Sequence, residues 1–88
     1  MRMEQRIRNK LTAAFEPAVL RIDDDSEKHR GHGGYREGGE THFSVTIRAA
    51  VFDGMSRVAR QRAVYAVLRE EMAERIHALA LDVGGLDS

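Results

Sequence analysis

Four histidines are the side chains of this protein best suited to bind a metal ion. His29, His32 and His42 lie in or beside a glycine-rich segment, whereas His77 precedes an apolar run near the end of the chain. Neutral imidazole binds iron, zinc and copper, and with an unperturbed pKa of about 6.5 it is largely neutral at pH 7. The sequence contains no cysteine, so it offers neither a disulfide nor a thiolate ligand. Any site that needs thiolate sulfur must take it from another molecule.

The spacing of the histidines leaves more than one interpretation open. His29 and His32 are three residues apart in a segment too rich in glycine to fix a site alone, and they do not form the helical histidine pair of zinc enzymes. His77 lies beside an expected strand, a stiffer position. Solvated loop histidines and a structural His77 are the alternatives to a metal site. His42 alternates with Phe43 and is expected to face out of the core, where it would hydrogen-bond within the loop or orient a neighbour.

A second candidate site is the basic start of a predicted helix, formed by Gly54, Arg57, Arg60 and Arg62. Backbone N–H groups at a helix start attract phosphate, and arginine binds phosphate through two hydrogen bonds. In KH folds a glycine loop between helices grips the nucleic-acid backbone, but the paired-glycine form of that loop is missing here. The formal net charge is zero, so an exposed, solvated helix face is the alternative interpretation.

Length and composition indicate one globular domain, spanning 1–88. Hydrophobic residues make up 42% and charged residues 32%, which is ordinary for a soluble protein. No apolar run approaches the roughly 20 residues of a membrane helix, and no secretory signal follows the N-terminal charges, so we expect a cytoplasmic protein without membrane contact. Phosphate-loop and dinucleotide motifs are missing, as is a serine–histidine–acid grouping, and we therefore expect no enzymatic activity.

The elements that must position these residues follow from the spacing of apolar side chains. Helical spacing predicts a first helix over 2–15, which Pro17 ends. A short strand is predicted over 18–22 and a second over about 41–50, where alternate residues are apolar. The glycine-rich segment at about 26–39 has little to bury and is predicted to be a long flexible loop.

The second half of the chain predicts a helical segment over about 57–74, with a break near its first turn, and a serine suited to capping its start. The apolar run over 76–81 favours a strand buried on both faces in parallel pairing, and 83–88 is expected to be a frayed tail. The fold class is therefore α+β, in the order helix–strand–strand–helix–strand. A helical crossover lets the last two strands run parallel, which gives a three-stranded mixed sheet covered by helices on one face.

Six sequence blocks in order resemble the BolA family over essentially the whole chain. They are Lys10-Leu11-Thr12-Ala13-Ala14-Phe15-Glu16-Pro17; Asp24-Asp25-Ser26 followed by His29; Gly39-Glu40-Thr41-His42-Phe43; Phe52-Asp53-Gly54-Met55-Ser56-Arg57; Arg60-Gln61-Arg62-Ala63-Val64-Tyr65; and His77-Ala78-Leu79-Ala80-Leu81. The resemblance implies a fold like the class II KH domain and no known catalytic activity. It also implies a partnership with monothiol glutaredoxins and, in some members, DNA-binding transcriptional regulation and a part in the stress response.

For this chain the resemblance implies iron–sulfur trafficking or iron-linked regulation. His77 and one loop histidine would co-ligate a [2Fe-2S] cluster with cysteine from the glutaredoxin and from its bound glutathione. The loop ligand is His29 by its distance from Asp25-Ser26, with His32 as the alternative. The isolated chain would hold no cofactor and would be a monomer or weak homodimer. Gln61 departs from the family pattern, which usually has a histidine between the two arginines.

Overall fold

The computed structural model describes residues 2–25 and 42–87. The flexible loop predicted at about 26–39 lies outside these residues, and with it lie His29 and His32. Within the described ranges no helix is long and apolar enough to cross a membrane.

The first helix, α1, spans Met3–Phe15 and confirms the prediction to within one residue. Its buried side chains recur every four residues, at Met3, Ile7 and Leu11, which is the stripe of a helix with one face on a core. It ends where Glu16 adopts a left-handed conformation with φ 46° and its N–H donates to the Thr12 carbonyl. Pro17 follows, so the helix cannot continue.

The sheet has three strands in the order β1–β2–β3. Strand β1 spans Val19–Asp24, β2 spans His42–Arg48 and β3 spans Ala78–Gly84. Strands β1 and β2 are antiparallel, whereas β2 and β3 are parallel. The predicted mixed sheet with a parallel crossover is therefore confirmed, and β2 is its central strand.

The crossover contains two helices rather than one. After a short 3-10 helix at Ala50–Phe52, helix α2 spans Arg57–Val67 and α3 spans Arg69–Glu74. Ser56 caps α2 as predicted, since its hydroxyl accepts a hydrogen bond from the Ala59 N–H at 3.1 Å. The break in the segment predicted over 57–74 comes at Leu68, and not near the first turn.

One hydrophobic core lies between the helices and one face of the sheet, as predicted. The central strand contributes alternate residues to this core, and the helices, the other strands and their connections add further apolar side chains. The core consists of Met3, Ile7, Leu11, Ile22, Phe43, Val45, Ile47, Ala49, Phe52, Val64, Leu68, Ile76 and Leu79. The ring centroids of Phe15, the last residue of α1, and of the core residue Phe52 are 4.8 Å apart, so the end of α1 packs against the core. The class II KH comparison is compatible with this architecture and stays a prediction.

Strand β3 differs from its prediction in two ways. It is an outer strand in which Ala78, Ala80 and Asp82 are exposed, so it is not buried on both faces. It also runs to Gly84, and therefore takes in the start of the segment predicted as a frayed tail over 83–88. That prediction needs correction, because parallel pairing with β2 continues to the end of the central strand.

The residues after β3 are held as well. The Asp87 N–H donates to Oδ1 of Asp53 at 2.9 Å, and a β-carbon at the buried Gly85 would collide with the same carboxylate. The turn before α2 thus fastens the end of the last strand.

Candidate functional site

His77 lies on the surface immediately before β3. The residue before it, Ile76, is buried in the core, and the Ile76 N–H donates to the Glu71 carbonyl at 3.1 Å. Ala78 then begins the pairing with β2. Because the backbone is fixed on both sides, the exposed imidazole starts from a well-defined position.

Among the residues that the structure describes, the imidazole next to His77 belongs to His42. Their ring centroids are 5.3 Å apart, with the ring planes inclined at 52°. His42 is the first residue of β2, and its register partner across the parallel pair is Ala78. Parallel pairing brings the starts of both strands to one level, and so it sets the two histidines side by side.

His42 is only 5% exposed, so it is buried although strand alternation turns it away from the core, as expected. Alternation along β2 places its side chain on the face of the sheet opposite that of the core residue Phe43. However, pairing with β3 brings His77 against it, and on the other side the Asp25 N–H donates to its carbonyl at 2.7 Å. Its neighbours across the sheet cover the residue in a way that strand alternation does not predict.

Two further contacts hold the strands around this pair. Ser44 Oγ donates a hydrogen bond to the Asp25 carboxylate, which ties the end of β1 to β2. The Tyr65 hydroxyl donates to the Leu79 carbonyl at 3.0 Å, which ties the start of β3 to α2. Sequence reasoning missed both Tyr65 and the proximity of His42 to His77. Aligning the two histidine-led strands in parallel, with Phe43 opposite Leu79, would have indicated the second.

Metal-binding capacity in the described ranges rests on this histidine pair. Among these residues, no three histidine, aspartate or glutamate side chains gather into a group that could hold an ion. His29 and His32 lie outside the described residues, so their predicted approach to His77 stays a prediction. The pair can supply two imidazole nitrogens, and other ligands would have to complete a coordination sphere.

A buried acid holds the helix that precedes His77. The Glu71 side chain is fully buried, and its carboxylate accepts hydrogen bonds from Arg6 at 2.8 Å and from Lys10 at 3.0 Å. Burial acts to raise the pKa of Glu71, but hydrogen bonds from Lys10, the backbone and Arg6, together with the charge of Lys10, outweigh it, so this pKa lies below its usual value of 4.5. The same carboxylate raises the pKa of Lys10, against the effect of burial. These pairs join α1 to α3 and keep Ile76 and His77 in place.

The structure does not bring all three arginines of the predicted basic site into one groove. A groove of about 330 Å³ lies between α2 and β3, lined by Arg57, Arg60, Gln61, Leu81, Asp82 and Val83. Arg62 is exposed but is not among the lining residues. Arg60 also has a structural contact, because its Nε donates to the Phe52 carbonyl at 3.0 Å. Arg57 is therefore the exposed cation of this groove on α2.

The start of α2 is also partly used by the protein itself. Ser56 already accepts from the Ala59 N–H, one of the groups that a phosphate at this helix start would need. Gly54 lies in the preceding turn with φ 79°, a conformation that suits glycine. Its conformation therefore explains this glycine without a ligand.

Known proteins resemble this chain throughout. The family model for BolA-like proteins matches residues 11–85. The chain is 46% identical over 78 residues to "Protein BOLA1, chloroplastic" of Arabidopsis thaliana, covering 86% of this chain but only 49% of that relative. It is 38% identical over 81 residues to "DNA-binding transcriptional regulator BolA" of Escherichia coli K12, covering 92% of this chain and 73% of that protein.

A solved structure agrees with these sequence matches. BolA1 from Arabidopsis thaliana superposes with a TM-score of 0.82 at 37% identity, over 96% of this chain and 92% of that one. The chain spans about half the length of the Arabidopsis relative matched by sequence.

Proposed function

The chain belongs to the BolA family, and from this membership we propose that it is an interaction protein that pairs with a monothiol glutaredoxin. In this pairing it contributes histidine ligands to a shared [2Fe-2S] cluster. The role would serve iron–sulfur trafficking or iron-linked regulation, without enzymatic activity of its own.

The observation that supports this proposal is the position of His77. Its imidazole is exposed at the start of an outer strand, on backbone fixed by β2 and α3. A second protein can approach such a group without any rearrangement of the core. The lack of cysteine is also consistent with this proposal. Iron–sulfur clusters are held mainly by thiolates, and here these would have to come from the partner and its glutathione.

The proposed division of labour follows from these donors. This chain supplies imidazole from His77 and from one further histidine, for which His29 and His32 remain the candidates. The glutaredoxin supplies cysteine and holds the glutathione. Two imidazoles in place of two thiolates shift the electronic properties of an iron–sulfur cluster and raise its potential.

The test is visible circular dichroism of a cluster-loaded monothiol glutaredoxin mixed with this protein. Wild type is expected to change the spectrum of the cluster, and His77→Ala to fail to do so. His29→Ala and His32→Ala, measured in parallel, identify the loop ligand. Arg21→Gln, at an exposed position on β1 with a side chain 74% accessible, removes no imidazole and is the matched control. An unchanged spectrum with wild type, or a His77→Ala spectrum equal to wild type, contradicts the proposal.

A second candidate function is DNA-backbone binding by the groove between α2 and β3. Arg57 and Arg60 line that groove, and the E. coli relative is named a DNA-binding transcriptional regulator. Arginine is suited to phosphate because it forms two parallel hydrogen bonds with it. The net charge of zero means that this binding would depend on a local patch and would weaken steeply with salt.

Mobility shifts at low and moderate salt test this function. If the groove binds DNA, Arg57→Gln is expected to weaken binding more than Arg62→Gln, because Arg57 lines the groove and Arg62 does not. Arg21→Gln is the matched control, since that arginine is exposed on β1 with a side chain 74% accessible. Absence of any shift at low salt, or equal binding by wild type and a triple variant of Arg57, Arg60 and Arg62, rules the function out.

The cytoplasmic location and the monomeric or weakly dimeric state expected from the sequence are part of the same proposal. Both suit a small adaptor that exchanges partners. Size-exclusion chromatography with light scattering, with and without glutaredoxin, measures the second directly.

A further inference from the structure

The histidine pair has a geometry that the proposed function does not require. The sequence predicts a structural His42, and no part of the cluster proposal uses it. Nevertheless its ring lies 5.3 Å from that of His77, centroid to centroid. The two rings come from adjacent parallel strands, and the register pair His42 and Ala78 fixes their spacing.

This spacing matches two imidazoles on one ion. Zinc–imidazole nitrogen bonds are about 2.0–2.1 Å long, so two rings on a tetrahedral ion have centroids about 5 Å apart. The inclination of 52° between the planes also differs from parallel stacking. Tilted ring pairs that pack without a metal also have centroids about 4.5–7 Å apart, so the separation is compatible with both arrangements, and what it provides is two imidazoles near enough to share one ion.

We propose that His42 and His77 together bind one divalent transition-metal ion of the zinc type in the isolated protein. Imidazole is a borderline ligand suited to such ions, and the chain has no cysteine to favour softer ones. The proposal goes beyond the cluster function: it shares His77 with that function but needs neither glutaredoxin nor a loop histidine. It also replaces the expectation that the isolated chain holds no cofactor.

The site has one open and one closed side. His77 is exposed, whereas His42 is 5% exposed, so an ion bound between them would face solvent through His77. In the part of the chain that the structure describes, no third side chain completes a three-ligand group. Water or added ligands would fill the remaining positions, and the ion would exchange readily. A glutaredoxin that captures His77 would compete with it.

The test is titration of the whole isolated protein with Zn²⁺ by calorimetry, and with Co²⁺ by visible absorption. One ion per chain is expected. His77→Ala and His42→Phe should each weaken metal binding by at least roughly tenfold. Loss of a residue that only hydrogen-bonds to a ligand already costs about that much affinity. His42→Phe keeps an aromatic ring in the buried position while removing both nitrogens. The double variant His29→Ala, His32→Ala is the control and should bind as wild type does.

A measurement on wild type guards against a His42 variant that does not fold. On addition of Zn²⁺, the ring resonances of both His42 and His77 should shift together in the NMR spectrum with the same saturation. Unperturbed His42 resonances, wild-type affinity in His42→Phe, or loss of binding in the loop double variant would each overturn the proposal. None of these results depends on glutaredoxin, so they are distinct from failure of the cluster function.

Discussion

The His42 ring contacts the His77 ring because Ala78 is the parallel-register partner of His42, and this one pairing places both imidazoles at the same end of the sheet. The two residues are 35 positions apart in the sequence. Their contact depends on the crossover through α2 and α3, because the crossover carries the chain back to the start of β2 and lets β3 pair with it in parallel.

The contact itself can be observed without any metal. His77→Ala removes a ring whose centroid is 5.3 Å from that of His42, so the His42 ring resonances should shift through loss of the aromatic ring current. Heteronuclear NMR of the histidine side chains in metal-free buffer measures this. Asp82→Asn, at the other end of β3, is the control and should leave them unchanged. Identical His42 shifts in wild type and His77→Ala would show that the rings do not meet.

Glu71→Gln is expected to lower stability in a pH-dependent way. The charged hydrogen bonds from Arg6 and Lys10 to the buried carboxylate are worth about 1.5–3 kcal/mol in such settings. The folded pKa of Glu71 lies below the usual 4.5, so the unfolded chain takes up its proton first as the pH falls. The stabilisation is therefore complete above pH 4.5 and is lost below it, through the folded pKa.

Urea unfolding at several pH values checks this prediction. The difference in free energy of unfolding between wild type and Glu71→Gln should be largest near pH 7 and should shrink below pH 4.5. Glu70→Gln is the matched control, because Glu70 also pairs with Lys10 but is 73% exposed, and its loss should cost less than about 1 kcal/mol. A difference that persists or grows in acid would disagree with a lowered pKa.

Tyr65→Phe removes one hydroxyl and with it the hydrogen bond to the Leu79 carbonyl. We expect a loss of about 1 kcal/mol, seen as a melting temperature lower by roughly 4–8 °C for a chain of this size. Amide hydrogen exchange should accelerate in β3 more than in β1. Val58→Ala, at an exposed position on the same helix, serves as the control. Equal exchange in both strands would mean that the hydroxyl does not hold β3.

Gly54→Ala should destabilise the turn before α2 through backbone conformation alone. Gly54 has φ 79°, and a β-carbon added there would meet no atom within 4 Å, so the cost is the roughly 1–2 kcal/mol of a left-handed alanine. Gly54→Asn should cost less, because asparagine tolerates this region better. Thermal unfolding of the three proteins gives the order directly; alanine and asparagine at wild-type stability would contradict the conformational argument.

Ser56→Ala removes the cap of α2, in which the hydroxyl accepts from the Ala59 N–H. Loss of a capping hydroxyl lowers the free energy of unfolding by about 1 kcal/mol. Ser56→Asp should keep most of the stabilisation, because aspartate also caps helices. The pair of variants also bears on the groove: if phosphate uses the freed N–H, Ser56→Ala should not weaken DNA binding as Arg57→Gln does. Chemical denaturation and mobility shifts on the same samples separate the two effects.

Local patterns in the sequence predicted most of the fold. Apolar residues every four positions in α1, every second position in β2 and a serine before α2 are signals carried by neighbours in the chain, and the structure has each element near its expected place. The helix break at Leu68 and the length of β3 were harder to predict, since both depend on what packs against them. The sequence also identified the histidines as the candidate ligands by chemistry and by family resemblance.

Which histidine would meet His77 could not be decided from the chain alone. Strand alternation is a local property, and it suggested that His42 faces away from the core. Burial of His42 and its 5.3 Å approach to His77 arise from the register between two strands far apart in sequence. The sequence by itself thus determined the ligand chemistry and the secondary structure, because these depend on residue type and near neighbours. Only the tertiary structure placed His42 beside His77, because parallel pairing across a crossover is a long-range relationship that no local pattern encodes.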